Sequence, residues 1–227
     1  GLDTMAHVIK TMQDTLPASI DPFAAHFATP PVLNALVEKG ALGQKAGAGF
    51  YKKEGKAIKV LDPKRAEYVD STGKADELVV RILKKKDVAE RLKLLRETDH
   101  PQAKFLWAIF RDAFHYIAVH LESIADTARD VDFALRWGFG WSTGPFETWQ
   151  AAGWQQIAEW VKADIEAGEA LSKAPLPKWV WGEGNAGPVA KNNGVHSAAG
   201  SWSPAKKSFV PRSSLPVYAR QIVRATL

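Results

Sequence analysis

Gly43-Gln44-Lys45-Ala46-Gly47-Ala48-Gly49-Phe50-Tyr51 places three glycines close together and closes them with two aromatic residues. Glycine supplies positive φ and close backbone approach, so the stretch reads as a tight turn. The Phe50-Tyr51 pair is expected to anchor that turn by burying its rings. A glycine-rich loop also invites a phosphate-cradling reading, but such a loop follows a buried strand and opens a helix. Here the helix-like PPVLNALVEKG comes first, and YKKEGKAIKV follows as a short hairpin turning at Glu54-Gly55. That order favours a structural turn.

Outward from this stretch, Gly194-Val195-His196-Ser197-Ala198-Ala199-Gly200-Ser201-Trp202 is its faded echo. A second pair of matching stretches, GLDTMAHVIKTM from Gly1 and GWQQIAEWVKAD from Gly153, precedes the two turns. The separations Gly1 to Gly49 and Gly153 to Gly200 differ by a single residue, and PPVLNALV corresponds roughly to PLPKWVW between them. Spacing kept at this scale indicates an internal repeat. The second copy replaces Lys45 by His196, Phe50 by Ser201 and Tyr51 by Trp202, which keeps the turn and drops the charge.

In chain order, LDTMAHVIKTM sets Leu2, Met5, Val8, Ile9 and Met12 on one helical face. It starts without a preceding loop or cap and reads as an element cut from something longer. Thr29 is the expected N-cap of PPVLNALVEKG, with Gly40 past its end. Asp62-Pro63 should open another helix through Val69, and Asp87 with Glu90 reads as a capping box for AERLKLLRET. KFLWAIFRDAFHYIAVHLESIA is a central, buried helix by its apolar content. Thr127 with Asp130 caps RDVDFALRW, which should stop at Gly138, and Thr143-Gly144-Pro145 opens FETWQAA. WQQIAEWVKADIEAG, the short LPKWVW helix, a loop over 182–204 and a tail SSLPVYARQIV complete the chain.

Composition bounds the function. With 46% apolar and 24% charged residues the chain is an ordinary globular one, and no apolar run is long enough for a membrane span. The absence of cysteine removes disulfide and thiolate chemistry and suits a cytoplasmic protein. The histidines, His115 and His120 among them, show no metal spacing, so no metal ligand is assigned. A net charge of +5 is spread along the chain rather than gathered into a nucleic-acid patch. Nine tryptophans, most of them between Trp137 and Trp202, demand a large aromatic core or groove. Helical spacing assigns Trp137, Trp141, Trp149, Trp154 and Trp160 to the core.

Three stretches together resemble a known family, the L-3-hydroxyacyl-CoA dehydrogenases of fatty-acid β-oxidation, in their C-terminal helical domain. Gly1-Leu2-Asp3-Thr4 is similar to the helix start after the family's Gly-Pro-Phe-Glu turn, and Gly43 to Tyr51 to its Gly-x-Lys-small-Gly-x-Gly-Phe-Tyr segment. Asp130-Val131-Asp132 through Gly138-Phe139-Gly140 and Gly144-Pro145-Phe146-Glu147 resembles its Asp-Ile-Asp…Gly-x-Gly…Gly-Pro-Phe-Glu run. The resemblance implies an all-α fold of tandem helical domains, like the C-terminal domain of 6-phosphogluconate dehydrogenase, with short hairpin and loop excursions. It divides the chain into the back half of a first copy (1–55), a helical connector (56–100), a complete second copy (101–205) and a tail (206–227).

The same resemblance implies NAD-dependent oxidation of a 3-hydroxyacyl-CoA to the 3-ketoacyl-CoA in the intact protein, with a histidine–glutamate pair taking the hydroxyl proton. That pair and the NAD site would lie in an upstream Rossmann domain, possibly with an enoyl-CoA hydratase part beyond it. No G-x-G-x-x-G stands between a strand and a helix here, and KFLWAIFRDAFHYI lacks the family's asparagine. No catalytic and no cofactor-binding residue is therefore carried over. The chain is expected to serve cleft closure and packing, without nucleic-acid or membrane partners. An independent helical module binding a protein or nucleic acid is the alternative. Lys45, Lys52 and Lys53 could meet CoA phosphates or simply be solvated, and Gly144-Pro145-Phe146 could border an acyl pocket or simply start a helix.

Overall fold

The computed structural model describes residues 1–71, 73–182 and 187–213, and it is mostly helical. Two compact units divide the chain, Gly1–Ala75 and Asp76–Leu227. Apart from Ser213, the segment SSLPVYARQIV lies outside the described residues, as does part of the loop over 182–204, whereas the start of the predicted 206–227 tail is described and carries a strand over 208–210.

Unit 1 begins with α1 (Leu2–Thr15) and α2 (Pro31–Glu38), then passes through a single 3-10 turn (Gln44–Ala46) into a meander of β1 (Tyr51–Glu54), β2 (Ala57–Asp62) and β3 (Glu67–Asp70). The strands are antiparallel in chain order, with Glu54 opposite Ala57 and Asp62 opposite Glu67. The core here is thin: Phe23, Leu33 and Leu36 are its buried apolar residues, and α1 buries none. Met5 and Val8, expected on the packed face of α1, are half exposed.

Three expectations change in this unit. The helix foreseen from Asp62 to Val69 is a strand, a turn and a strand, so this part of the predicted helical connector is sheet. An Asp-Pro pair starts turns as readily as helices. The Asp62 carboxylate accepts the N–H groups of Lys64 (2.9 Å) and Arg65 (3.2 Å), and Ala66 turns back at φ 56°. Pro30 rather than Thr29 precedes the first helical residue of α2. Tyr51 is 62% exposed and anchors nothing; its register on an outer strand turns it to solvent.

The glycine turn is held by its own backbone. Gly43 N–H reaches Ala48 O at 2.6 Å, Gly47 N–H reaches Gln44 O at 3.1 Å, and Gly49 N–H reaches Tyr51 O at 3.0 Å. Gly49 passes so close to Gly43 that an added Cβ would meet the Gly43 Cα at 2.9 Å.

Unit 2 carries the large core. Helices α3 (Glu77–Leu83) and α4 (Val88–Glu97) start at Asp76 and Asp87, whose carboxylates accept the first free N–H groups. The 24-residue α5 (Pro101–Ile124) runs through the middle, burying Trp107, Phe114, Ile117 and Leu121 while Phe105 and Ile109 face outward. After it come α6 (Ala128–Phe139), α7 (Pro145–Ala151) and α8 (Trp154–Glu166). The expected Thr127–Asp130 capping box opens α6, which runs through Gly138 and ends at the left-handed Gly140. Short helices α9 (Lys178–Trp181) and α10 (Pro188–Asn192) lead to a second meander of β4 (His196–Ser197), β5 (Gly200–Ser203) and β6 (Ser208–Val210).

The tryptophans divide between core and surface. Trp149 and Trp154 are fully buried and stacked, ring centroids 4.3 Å apart, and each indole N–H meets a backbone carbonyl. Trp137 and Trp141, assigned to the core with them, are 57% and 42% exposed. They lie at the end of α6, where Trp137 stacks on Phe133 at 4.4 Å. A buried polar knot ties α4, α5 and α8: Asp164 accepts from the Trp107 indole (2.7 Å) and pairs with Arg96 (3.2 Å) and Arg111 (3.6 Å).

Truncating Trp154 to alanine should cost about 3–5 kcal/mol, the usual range for a buried tryptophan, read as a shift in urea unfolding of unit 2. A pH dependence follows from His115, fully buried with its Nε2–H donating to Ala174 O at 2.7 Å. Burial holds its pKa below the ordinary value. The unfolded chain therefore takes up the proton first, and stability present above that ordinary value is lost as pH falls through it. In denaturation series across that range, His115→Gln should show a shallower loss on acidification than the parent chain.

Candidate functional site

The site-like feature of unit 2 is a cavity of about 790 Å³ between α6, the end of α7 and the β4–β5 turn. Behind its wall, the lining residue His196 is held by Asp132, in the buried middle of α6. One carboxylate oxygen accepts the Phe146 N–H at 2.8 Å and the other meets His196 Nε2 at 2.7 Å. Burial pushes the Asp132 carboxyl above its ordinary pKa, and the His196 bond works against that shift. An ionised carboxylate so enclosed needs such partners, because burying it unpaired costs several kcal/mol.

His196 is set by its peptide as well as its ring. The Gln150 amide bonds both sides of that peptide, accepting the His196 N–H at 2.9 Å and donating to its carbonyl at 3.0 Å. Asn192 Nδ2 donates to the same carbonyl at 2.9 Å. Close packing dictates two glycines here. A Cβ on Gly144 would collide with the Asp132 carboxylate, and one on Gly194 with the Gln150 amide.

Two cations stand on the cavity wall. Arg129 reaches it from the first turn of α6, and its backbone N–H bonds Ser201 Oγ at 3.0 Å. Arg212 follows β6 and lies over the Phe133 ring at 5.6 Å. Glu147, also on the wall, is held by Arg136 (2.9 Å) and by the Gly144 N–H (2.7 Å). Among the described residues no group of histidine and acidic side chains could hold a metal ion.

The residues singled out from sequence fall elsewhere. Lys45 pairs with Asp3 at 2.9 Å and holds that carboxyl below its ordinary pKa. Lys52 pairs with Glu54 at 2.9 Å, and Lys53 is exposed. Phe146 packs among Trp149, Trp154 and Trp179 rather than lining the cavity. Lys45, Lys52 and Lys53 belong to unit 1, so none of them meets Gly144-Pro145-Phe146 within one unit. The Asp132–His196 pair escaped sequence reading, although both residues sit in the quoted motifs. His196 stands where the first copy has Lys45, and each side chain meets a carboxylate, Asp132 in one case and Asp3 in the other.

The glycine turn of unit 1 does not fit a dinucleotide pyrophosphate. The Gly43, Ala46, Gly47 and Gly49 N–H groups are spent on the turn's own carbonyls or on Tyr51, and a strand follows where a helix would be needed.

Comparison with known proteins shows that the chain belongs to the 3-hydroxyacyl-CoA dehydrogenase family that its sequence resembles. Residues 1–53 match the family model described as 3-hydroxyacyl-CoA dehydrogenase, C-terminal domain. A Bacillus subtilis protein named "Probable 3-hydroxyacyl-CoA dehydrogenase" is 36% identical over 179 residues, covering 74% of this chain and 22% of that protein. A Rickettsia felis protein named as a fatty acid oxidation complex trifunctional enzyme is 27% identical over 184 residues, covering 79% of this chain and 23% of that one. A Rickettsia prowazekii protein with the same name is 25% identical over 184 residues. The chain thus spans less than a quarter of the curated relatives it matches. No solved structure is a significant match. No helix among the described residues is long and apolar enough to cross a membrane.

The packing around Asp132 gives a paired test. Gly144→Ala should destabilise unit 2 by about 1–3 kcal/mol, the usual cost of overpacking. Gly138→Ala, whose Cβ meets nothing in α6, should instead stabilise it by roughly 0.5–1 kcal/mol. Opposite shifts of the urea midpoint are the expected readout.

Proposed function

We infer that this chain is a helical piece of an NAD-dependent L-3-hydroxyacyl-CoA dehydrogenase of fatty-acid β-oxidation, serving cleft closure and packing in the intact protein. The observation that carries this reading is similarity to a dehydrogenase over 74% of the chain, together with the family match at residues 1–53. In the intact protein a 3-hydroxyacyl-CoA would be oxidised to the 3-ketoacyl-CoA. The NAD site belongs outside these residues, consistent with a glycine turn whose amides are already spent. An upstream Rossmann domain and an enoyl-CoA hydratase part are the proposed neighbours, in keeping with relatives named as trifunctional enzymes.

The tandem arrangement is part of the same proposal. A helix, a short helix, a glycine turn and a three-stranded meander follow one another as α1, α2 and β1–β3, and the same order returns, with two short helices in place of one, as α8, α9, α10 and β4–β6. On this reading the first copy runs on through its meander to Asp70, beyond the residue 55 boundary read from sequence. The second copy keeps its leading helices α5 to α7.

The test compares this chain with the same polypeptide extended upstream, assaying acetoacetyl-CoA-dependent NADH oxidation. The expected result is an inactive chain and an active extended protein. Two folded but inactive proteins would overturn the dehydrogenase reading, and turnover by this chain alone would overturn its non-catalytic role.

A further inference from the structure

Arg129 and Arg212 share one wall of the 790 Å³ cavity, and both also line a second hollow of about 290 Å³ beside it. Burial first, and then the neighbouring Arg212 charge, hold the Arg129 guanidinium below its ordinary pKa, against the opposing pull of Asp130. Two like charges brought together in a recess are unfavourable unless something negative joins them. Among the described residues neither guanidinium has an ion pair. The carboxylate on the wall of the larger cavity, Glu147, is committed to Arg136, and Asp132, buried behind that wall, to His196. Asp130 is engaged with the Thr127 backbone and hydroxyl. Asp126 and Lys206 line only the second hollow, where their charges oppose one another.

We propose that this cavity binds a phosphate group carried on a small organic molecule, with Arg129 and Arg212 as its clamp. Paired guanidinium forks match the oxygens of a phosphate, and two cations without an ion pair among the described residues match a dianion. Stacking on Phe133 holds Arg212 in place without using its N–H donors. The cavity is far larger than a phosphate ion, and beyond the arginines its lining is mixed. Ala151, Ala198 and Ala199 offer apolar surface, while Ser197 and Asn193 are polar. Such a lining accommodates the organic part of a phosphate ester. The site is built within unit 2 alone and stands independently of the dehydrogenase reading.

Isothermal titration calorimetry of the whole chain with inorganic phosphate, pyrophosphate and coenzyme A tests it. Saturable binding is expected, weakened on the order of tenfold by either Arg129→Gln or Arg212→Gln, since each removes charge-assisted hydrogen bonds to the phosphate. Lys93→Gln, the same charge change on the exposed face of α4, should leave binding unaltered. Arg129→Gln keeps the backbone bond to Ser201, and the exposed Arg212 gives a second variant should the first unfold. Coenzyme A binding well above inorganic phosphate would identify a phosphorylated nucleotide as the ligand; equal binding would restrict recognition to the phosphate itself. No saturable binding by any of the three, or arginine variants that bind as the parent chain does, would overturn the proposal.

Discussion

The pairing of Asp132 with His196 and the Phe146 amide is the constraint on which the cavity side of unit 2 depends. A carboxylate sealed inside α6 has to find partners, and the two it finds lie on separate elements. One fixes where α7 begins; the other fixes where the second glycine turn lies. The crowding this produces leaves no room for a side chain at Gly144 or Gly194. Glycines that look like turn signals in the sequence are therefore also spacers around a buried polar group.

A second polar knot joins α4, α5 and α8. Asp164 gathers the Trp107 indole and the Arg96 and Arg111 guanidiniums, so three helices are tied through one carboxylate. Arg96 also lies over the Trp160 ring at 5.4 Å. The core of the same unit holds the aromatic stack of Phe114, Trp149 and Trp154. Non-directional apolar burial gives unit 2 its bulk, while the knots fix helix register. Networks of this kind are costly to break because each member leaves another buried and unsatisfied.

Local signals were legible in the sequence. Thr127 with Asp130, Asp87, and Gly144-Pro145 each mark a helix start because the capping chemistry lies within a few residues. Asp62-Pro63 misled because its carboxylate serves a turn as readily as a helix, and only the partner strand decides. Helical spacing also could not separate Trp149 from Trp137, since spacing gives a face and not what covers it. The cavity was least legible. Asp132 and His196 are far apart in sequence, and Arg129 and Arg212 carry no motif; only the folded chain brings them together. The glycine turns, in contrast, were read correctly as turns because their geometry is local.

The thin core of unit 1 has a thermodynamic consequence. With Phe23, Leu33 and Leu36 as its buried apolar residues and an α1 that buries none, little of its folding free energy comes from its own interior. Any surface that covers the Met5–Val8 stripe therefore acts on unit 1 as a ligand acts on a receptor, adding its binding free energy to folding. Docking and ordering would then be two readings of a single equilibrium, and the apparent stability of this unit would depend on the concentration of what covers it.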